Sequence, residues 1–96
     1  MSNDLTEKAW QQQVLDLAAL YRWGYYHTFD SRRSQPGFPD LLLVRGIRMM
    51  FVELKTDTGR LTTDQQSWQH MLRNAGAEVF VWRPADLELV QRELAS

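Results

Sequence analysis

Residues 39–55 read PDLLLVRGIRMMFVELK and contain two apolar runs on either side of one glycine. Each run is apolar at both odd and even positions, a pattern typical of central strands that are covered on both faces of a sheet. We therefore predict strands over residues 40–45 and 48–55, joined by a turn near Gly46. This hairpin is the centre from which the rest of the fold can be predicted.

Acidic residues stand at the two outer ends of this hairpin. Asp40 and Glu53 lie at about equal distances along the chain from the turn, so the hairpin would bring the two carboxylates level at its open end. Because side chains alternate along a strand, Glu53 and Lys55 project to one face and Leu54 to the other. Carboxylates beside an ammonium and the Leu54 carbonyl favour a site for Mg²⁺ or Mn²⁺, and Glu7 would add a third carboxylate if the first helix packs over that end.

The remaining segments predict a single α/β domain over residues 1–96, with a mixed four-stranded sheet flanked by helices in the order αβββαβα. The elements around the hairpin are a helix over residues 4–23, a strand over 24–29, a loop over 30–38, a helix over about 62–75, a strand over 78–82 and a last helix opened by Pro84. The expected inner residues are Trp10, Val14, Leu17, Ala18 and Tyr21 in the first helix, Trp68, Met71, Leu72 and Ala75 in the second, and Leu87, Val90 and Leu94 in the last, with Met49 and Met50 filling the core.

Composition narrows the class of protein. The chain has 96 residues, no cysteine and a net charge of -1, which argues against disulfides, thiolate metal sites and a simple basic nucleic-acid binder. The charge is uneven, because residues 22–60 hold seven Lys or Arg against four Asp or Glu, a net charge of +3. No apolar run is long enough to span a membrane and no signal peptide is evident, so we expect a cytoplasmic protein without a membrane partner.

The ordered set of polar motifs resembles one nuclease family. Pro39-Asp40 with Glu53-Leu54-Lys55 matches the PD-(D/E)xK signature, and the surroundings resemble its VRR-NUC branch over most of the chain from Glu7 to about Asp86. The matching residues around that pair are His27, Ser31-Arg32-Arg33-Ser34, Gly37-Phe38, Gly59-Arg60-Leu61, Gln65 with Trp68, and Val81-Trp82-Arg83-Pro84. One departure is visible after the first helix, where Arg22-Trp23-Gly24 stands in place of the family's Gly-Trp.

The resemblance implies a restriction-endonuclease-like fold and a metal-dependent, structure-selective DNA endonuclease. It implies that Asp40 and Glu53 bind Mg²⁺, for which Mn²⁺ substitutes, together with the Leu54 carbonyl. Lys55 would be the catalytic lysine, with Glu7 and Gln65 close to the metal. Short stand-alone members look like phage proteins that act inside the bacterial host, and they are similar to Holliday-junction resolvases, which work as homodimers on four-way DNA.

Several alternatives remain open on the sequence alone. Thr62-x-x-Gln65 is also a capping box, Glu7 is also an ordinary first-turn acid, and Glu53 could instead pair with Lys55 or Arg48. We expect DNA contacts from Ser31, Arg32, Arg33, Ser34 and Arg60. The alternative functions are a flap or nicking endonuclease, or a non-catalytic DNA-binding subunit of a phage repair assembly.

Overall fold

The structure, a computed structural model, describes residues 5–29 and 34–96. Its elements are α1 (Glu7–Leu20), β1 (Gly24–His27), β2 (Leu41–Arg45), β3 (Arg48–Leu54), α2 (Thr63–Asn74), β4 (Glu78–Trp82), a 3₁₀ turn (Pro84–Asp86) and α3 (Leu87–Ala95). The four strands form one sheet in the order β1-β2-β3-β4, antiparallel from β1 to β3 and parallel between β3 and β4. The predicted mixed four-stranded α/β fold and its element order are confirmed.

The register of the β2–β3 hairpin decides where the acids lie. Leu41 is paired with Val52, so the next residues outward, Asp40 and Glu53, come level at the open end of the hairpin. The register therefore confirms the alignment of the two carboxylates that the spacing around the turn predicts.

Helix α1 is shorter than the predicted span of residues 4–23, whose first residue lies outside the described part of the chain. It begins after Thr6, whose hydroxyl accepts the N–H of Ala9 at 3.0 Å. It ends at Leu20 because Arg22 adopts a left-handed conformation with φ of 67°, and the N–H groups of residues 22 and 23 return to carbonyls of the last turn. The break thus comes two residues before Gly24, at a residue type that seldom takes this conformation.

One face of the sheet holds the core. Helices α1 and α3 pack on this face, and the predicted stripe of α1 is confirmed, with three of its residues completely buried. Burying these apolar side chains supplies the main stabilisation of the domain. The fully or almost fully buried residues of this core are Trp10, Val14, Ala18, Trp23, Leu41, Leu43, Met50, Val52, Leu54, Trp82, Val90 and Leu94.

The other face of the sheet is only half covered. Helix α2 lies over β3 and β4, where Phe38 packs edge-on against Phe51 and Trp68. A helix is about 10 Å wide and strands are about 4.8 Å apart, so one helix covers about two strands. Val44, on the uncovered strand β2, is 41% exposed, and Met49, beside it at the turn end of β3, is 51% exposed. The predictions of coverage on both faces and of Met49 as a core residue are wrong.

The inner stripe of α2 also differs from its prediction. Met71 is 51% exposed and Ala75 is exposed, whereas Gln69 is almost completely buried. The inward positions include glutamines, which a search for apolar periodicity passes over. In α3, Leu87 likewise lies at the surface. Within the described residues, no helix is long and apolar enough to cross a bilayer.

Candidate metal centre

Three carboxylates from three elements meet at the open end of the hairpin. Glu7 on the first turn of α1, Asp40 just before β2 and Glu53 near the end of β3 each offer one oxygen, and these oxygens lie within 4.8 Å of one another. Oxygen ligands of Mg²⁺, at about 2.1 Å from the ion, are at most about 4.2 Å apart. Small side-chain rotations therefore suffice for all three residues to bind one divalent cation.

Asp40 is held at both its side chain and its backbone. Its Oδ2 accepts the N–H of Leu54 at 2.8 Å, which leaves Oδ1 for a ligand. On the other side, Thr28 donates its N–H to the Asp40 carbonyl at 2.8 Å and its hydroxyl to the Pro39 carbonyl at 2.7 Å. Sequence reasoning missed Thr28, although extending the β1–β2 register by one residue places it opposite Asp40.

Gln65 combines the two roles that the sequence leaves as alternatives. Its backbone N–H and its side-chain Oε1 form the capping box with Thr62, at 3.1 and 2.9 Å. Its Nε2 donates to Glu53 Oε2 at 3.2 Å. The start of α2 therefore orients one oxygen of Glu53, while the other remains available to a cation.

Gly37 brings the loop before Asp40 against the start of α2. It has φ of 87°, and a Cβ at this position would lie 2.4 Å from the carbonyl carbon of Asp64 and 2.6 Å from the N of Gln65. No side chain fits in that space without moving the backbone. The close approach links the positions of Asp40 and Gln65.

Lys55 directly follows the last residue pair of the parallel strands, Leu54 with Trp82. Its N–H donates to the Trp82 carbonyl at 3.1 Å, and its side chain is half-buried. The turn that follows is held by Arg83, whose Nη1 donates to the carbonyls of Thr56 and Gly59, each at 2.6 Å. Arg83 thus has a structural role, whereas Arg60, next along the turn, is exposed.

The structure does not contain the ion pairs proposed as alternatives for Glu53. Among the described residues, the ion pairs shorter than 4.0 Å are those of Arg48 with Glu78 and Glu93, at 2.9 and 3.4 Å. Glu53, only 1% exposed, therefore has no cationic side chain among the described residues within 4.0 Å to balance its charge.

The electrostatics of the triad fit a cation. Burial, followed by the hydrogen bond and negative charge of Asp40, raises the pKa of Glu53 to about 9, and Lys55 only partly offsets this. Burial and the charge of Asp40 also raise the pKa of Glu7. Clustered carboxylates are unfavourable without a counter-charge, and a divalent ion with hard oxygen ligands removes that penalty.

Glu53→Gln should remove a pH dependence of stability from the metal-free protein. The native pKa lies above the ordinary value of 4.5, so the stabilisation is complete below pH 4.5 and is lost as the pH rises towards about 9. The slope for one proton is at most about 1.4 kcal/mol per pH unit. Urea unfolding in EDTA at pH 5 to 9 measures it, and equal slopes in wild type and variant would contradict the assignment.

The described cations of the basic middle stretch do not all lie near the triad. Arg45, at the far end of the hairpin, donates to the carbonyls of Tyr21 and Leu94 at 2.9 and 2.8 Å and lies 4.5 Å from the centre of a Trp23 ring. Arg48 is at the same end. The net charge of +3 on residues 22–60 therefore does not indicate the electrostatic potential at the carboxylate triad.

Some of the residues predicted to contact DNA lie outside the described part of the chain. Ser31, Arg32 and Arg33 lie outside the described residues. Ser34 is half-buried and lines, with Asp40 and Gln65 among others, a cavity of about 170 Å³ beside the triad. His27 lies at the end of β1, with its ring 6.1 Å from that of Phe29, and is not part of the triad.

Comparisons with known proteins agree with this architecture. The sequence profile of the VRR-NUC domain matches residues 3–86. A solved VRR_NUC domain protein superposes with a TM-score of 0.72 and 22% identity, covering 96% of this chain and 92% of that one. Hjc of Archaeoglobus fulgidus, a Holliday junction resolvase from an archaeal hyperthermophile, superposes with a TM-score of 0.58 and 18% identity, covering 78% and 66%. No curated protein matches the sequence.

Proposed function

Because the chain belongs to the VRR-NUC domain family, we propose that it is a metal-dependent, structure-selective DNA endonuclease acting on branched DNA, above all on Holliday junctions. The observation that carries the proposal is the convergence of Glu7, Asp40 and Glu53 within 4.8 Å, beside Lys55. The similarity in fold to Hjc, a Holliday junction resolvase, favours the four-way junction as the substrate.

Each residue of the site has a chemical role in this proposal. Asp40, Glu53 and Glu7 would hold Mg²⁺ or Mn²⁺, and the Leu54 carbonyl would be a further ligand. A bound divalent ion neutralises phosphate charge and makes water acidic enough to attack phosphorus. Lys55 orients the attacking water or stabilises the charge that grows on the phosphate oxygens. Gln65 keeps the carboxylate of Glu53 in its ligating orientation.

The DNA backbone is held by cations close to the triad. Arg60 is exposed and follows the turn after Lys55. Ser31, Arg32, Arg33 and Ser34 would contact phosphates from the loop before Asp40. Arg45 and Arg48 are excluded from this role because their guanidinium groups are bonded within the protein at the far end of the hairpin.

Cleavage of labelled four-way, flap, nicked and linear DNA tests the proposal directly. We expect cutting of the four-way junction with Mg²⁺ or Mn²⁺ and none in EDTA. Preferential cutting of flaps or nicked duplex would favour the alternative endonuclease. Junction binding without cleavage of any substrate in either metal would overturn the enzyme and support the non-catalytic DNA-binding subunit.

We also propose that two copies act together on the junction. The uncovered part of the sheet supports this, because Tyr26, Val44 and Met49 are exposed there and the residues paired with them across the strands, Gly24 and Leu42 among them, carry no charge. An uncharged surface does not repel its own copy and offers nothing to phosphates, so a second chain suits it better than DNA. Sedimentation should give twice the monomer mass of 11.3 kDa, and Met49→Lys should yield monomers. A wild-type monomer would contradict the dimer.

A further inference from the structure

Glu7 is the member of the triad whose position is least determined by the sheet. Asp40 and Glu53 belong to the paired hairpin, whereas Glu7 is exposed on the first turn of α1. Its carboxylate reaches the other two only at one position of the helix along its axis. A helix rises 1.5 Å per residue, so a shift of α1 along its axis by one residue would move Glu7 by about 1.5 Å relative to Asp40 and Glu53.

Apolar packing alone holds this position weakly. Val14 and Ala18 are completely buried, but contacts between apolar surfaces have little directionality. Trp10 adds a directional contact, because its Nε1–H donates to the Trp82 carbonyl at 2.9 Å and its side chain is completely buried. Within the described residues, this is the one hydrogen bond that a side chain of α1 donates to the sheet; the bond from Arg45 to the Tyr21 carbonyl holds the opposite end of the helix.

The acceptor of this bond lies at the site. The Trp82 carbonyl also receives the N–H of Lys55 at 3.1 Å, so the indole is tied to the strand end that carries Glu53 and Lys55. Glu7 precedes Trp10 by three residues and therefore lies on the same side of α1, one turn away. A bond at Trp82 thus sets how far the first turn extends over the triad.

We propose that Trp10 is a positioning residue, whose hydrogen bond to the Trp82 carbonyl holds α1 where Glu7 completes the carboxylate triad. The inference rests on the proposed function, because it concerns a ligand of the proposed metal. Trp10 itself touches neither metal nor DNA; it acts only through Glu7.

Calorimetric titration with Mn²⁺ tests this without any cleavage assay. Trp10→Phe keeps most of the buried ring and deletes the donor, and it should weaken Mn²⁺ binding by about tenfold. Glu7→Gln should weaken binding at least as much. The double variant should bind no more weakly than Glu7→Gln alone, because a positioning residue has no effect once the residue that it positions is gone.

Trp23→Phe is the matched control. Trp23 is also buried, at 4% exposure, and its Nε1–H donates to the Leu94 carbonyl, likewise at 2.9 Å, but near the opposite end of the hairpin. It should lower the melting temperature about as much as Trp10→Phe and leave Mn²⁺ affinity unchanged.

Three results would overturn the inference. Trp10→Phe could bind Mn²⁺ with wild-type affinity, it could weaken Mn²⁺ binding as much in the Glu7→Gln background as in the wild type, or Trp23→Phe could weaken Mn²⁺ binding as much as Trp10→Phe. In each of these the wild type still binds Mn²⁺, so the proposed function survives. A wild-type protein that binds no divalent ion would overturn both.

Discussion

Asp40→Asn is expected to lower the rate of junction cleavage by roughly a thousandfold while DNA affinity stays the same or rises. The carboxylate is worth several kcal/mol of transition-state stabilisation through the metal, and each 1.4 kcal/mol is about tenfold in rate. Asparagine retains one oxygen that can accept the Leu54 N–H, now at 2.8 Å from Oδ2, so the fold is preserved. Loss of a negative charge also reduces repulsion of phosphate.

Single-turnover cleavage and equilibrium binding, measured on the same junction, check this expectation. Asp64→Asn is the matched control, since it removes an equal charge from an exposed residue on the first turn of α2, outside the triad. It should cleave at close to the wild-type rate. Rapid cleavage by Asp40→Asn, or loss of DNA binding in parallel with cleavage, would show that Asp40 is not a metal ligand.

Gly37→Ala is expected to produce the largest loss of stability of any single methyl addition at a glycine. The substitution places a side chain in the left-handed region, at a cost of about 1–2 kcal/mol. It also forces a Cβ to 2.4 Å from the backbone of Asp64, so the loop or the start of α2 has to move. We expect a total of about 3 kcal/mol, or a fall of roughly 10–20 °C in melting temperature for a domain of this size.

Gly76→Ala separates the two contributions. Gly76 has φ of 89°, almost the same as the 87° of Gly37, but no atom lies within 4 Å of a Cβ built there. It should therefore show only the conformational cost, and cleavage should remain normal. Thermal unfolding followed by circular dichroism compares the two. Equal melting temperatures would mean that the contact between Gly37 and α2 does not constrain the folded protein.

The start of α2, which the Gly37 loop contacts, also contributes to the carboxylate site. The capping box at Thr62 and Gln65 is readable from four consecutive residues, but those residues do not show whether Gln65 also reaches Glu53. The Gln65 amide lies 3.2 Å from the Glu53 carboxylate because α2 packs against this end of the sheet, where the Gly37 loop closely approaches its first turn. The helix cap and the site thus share one side chain.

The charge distribution along the sequence, in contrast, does not predict where the cations lie in the structure. The basic stretch of residues 22–60 suggested a surface for nucleic acid, but Arg45 and Arg48 turn to the C-terminal helix and to Glu78 at the far end of the hairpin. A count of charges along the chain does not record which ones are already paired in the fold. Among the described cations of that stretch, Lys55 is the one whose charge acts on Glu7 and Glu53.

The sequence by itself determined the hairpin, the alignment of Asp40 with Glu53 and the start of α2. These features depend on alternation, equal spacing around a turn and capping residues, all of which act over a few neighbouring positions. Only the tertiary structure decided three other features. They are the position of Glu7 beside Asp40 and Glu53, the half-covered face of the sheet, and the hydrogen bonding of Arg45 and Arg48 within the protein. They depend on where separate elements dock, and docking is set by the packing of residues that lie far apart along the chain.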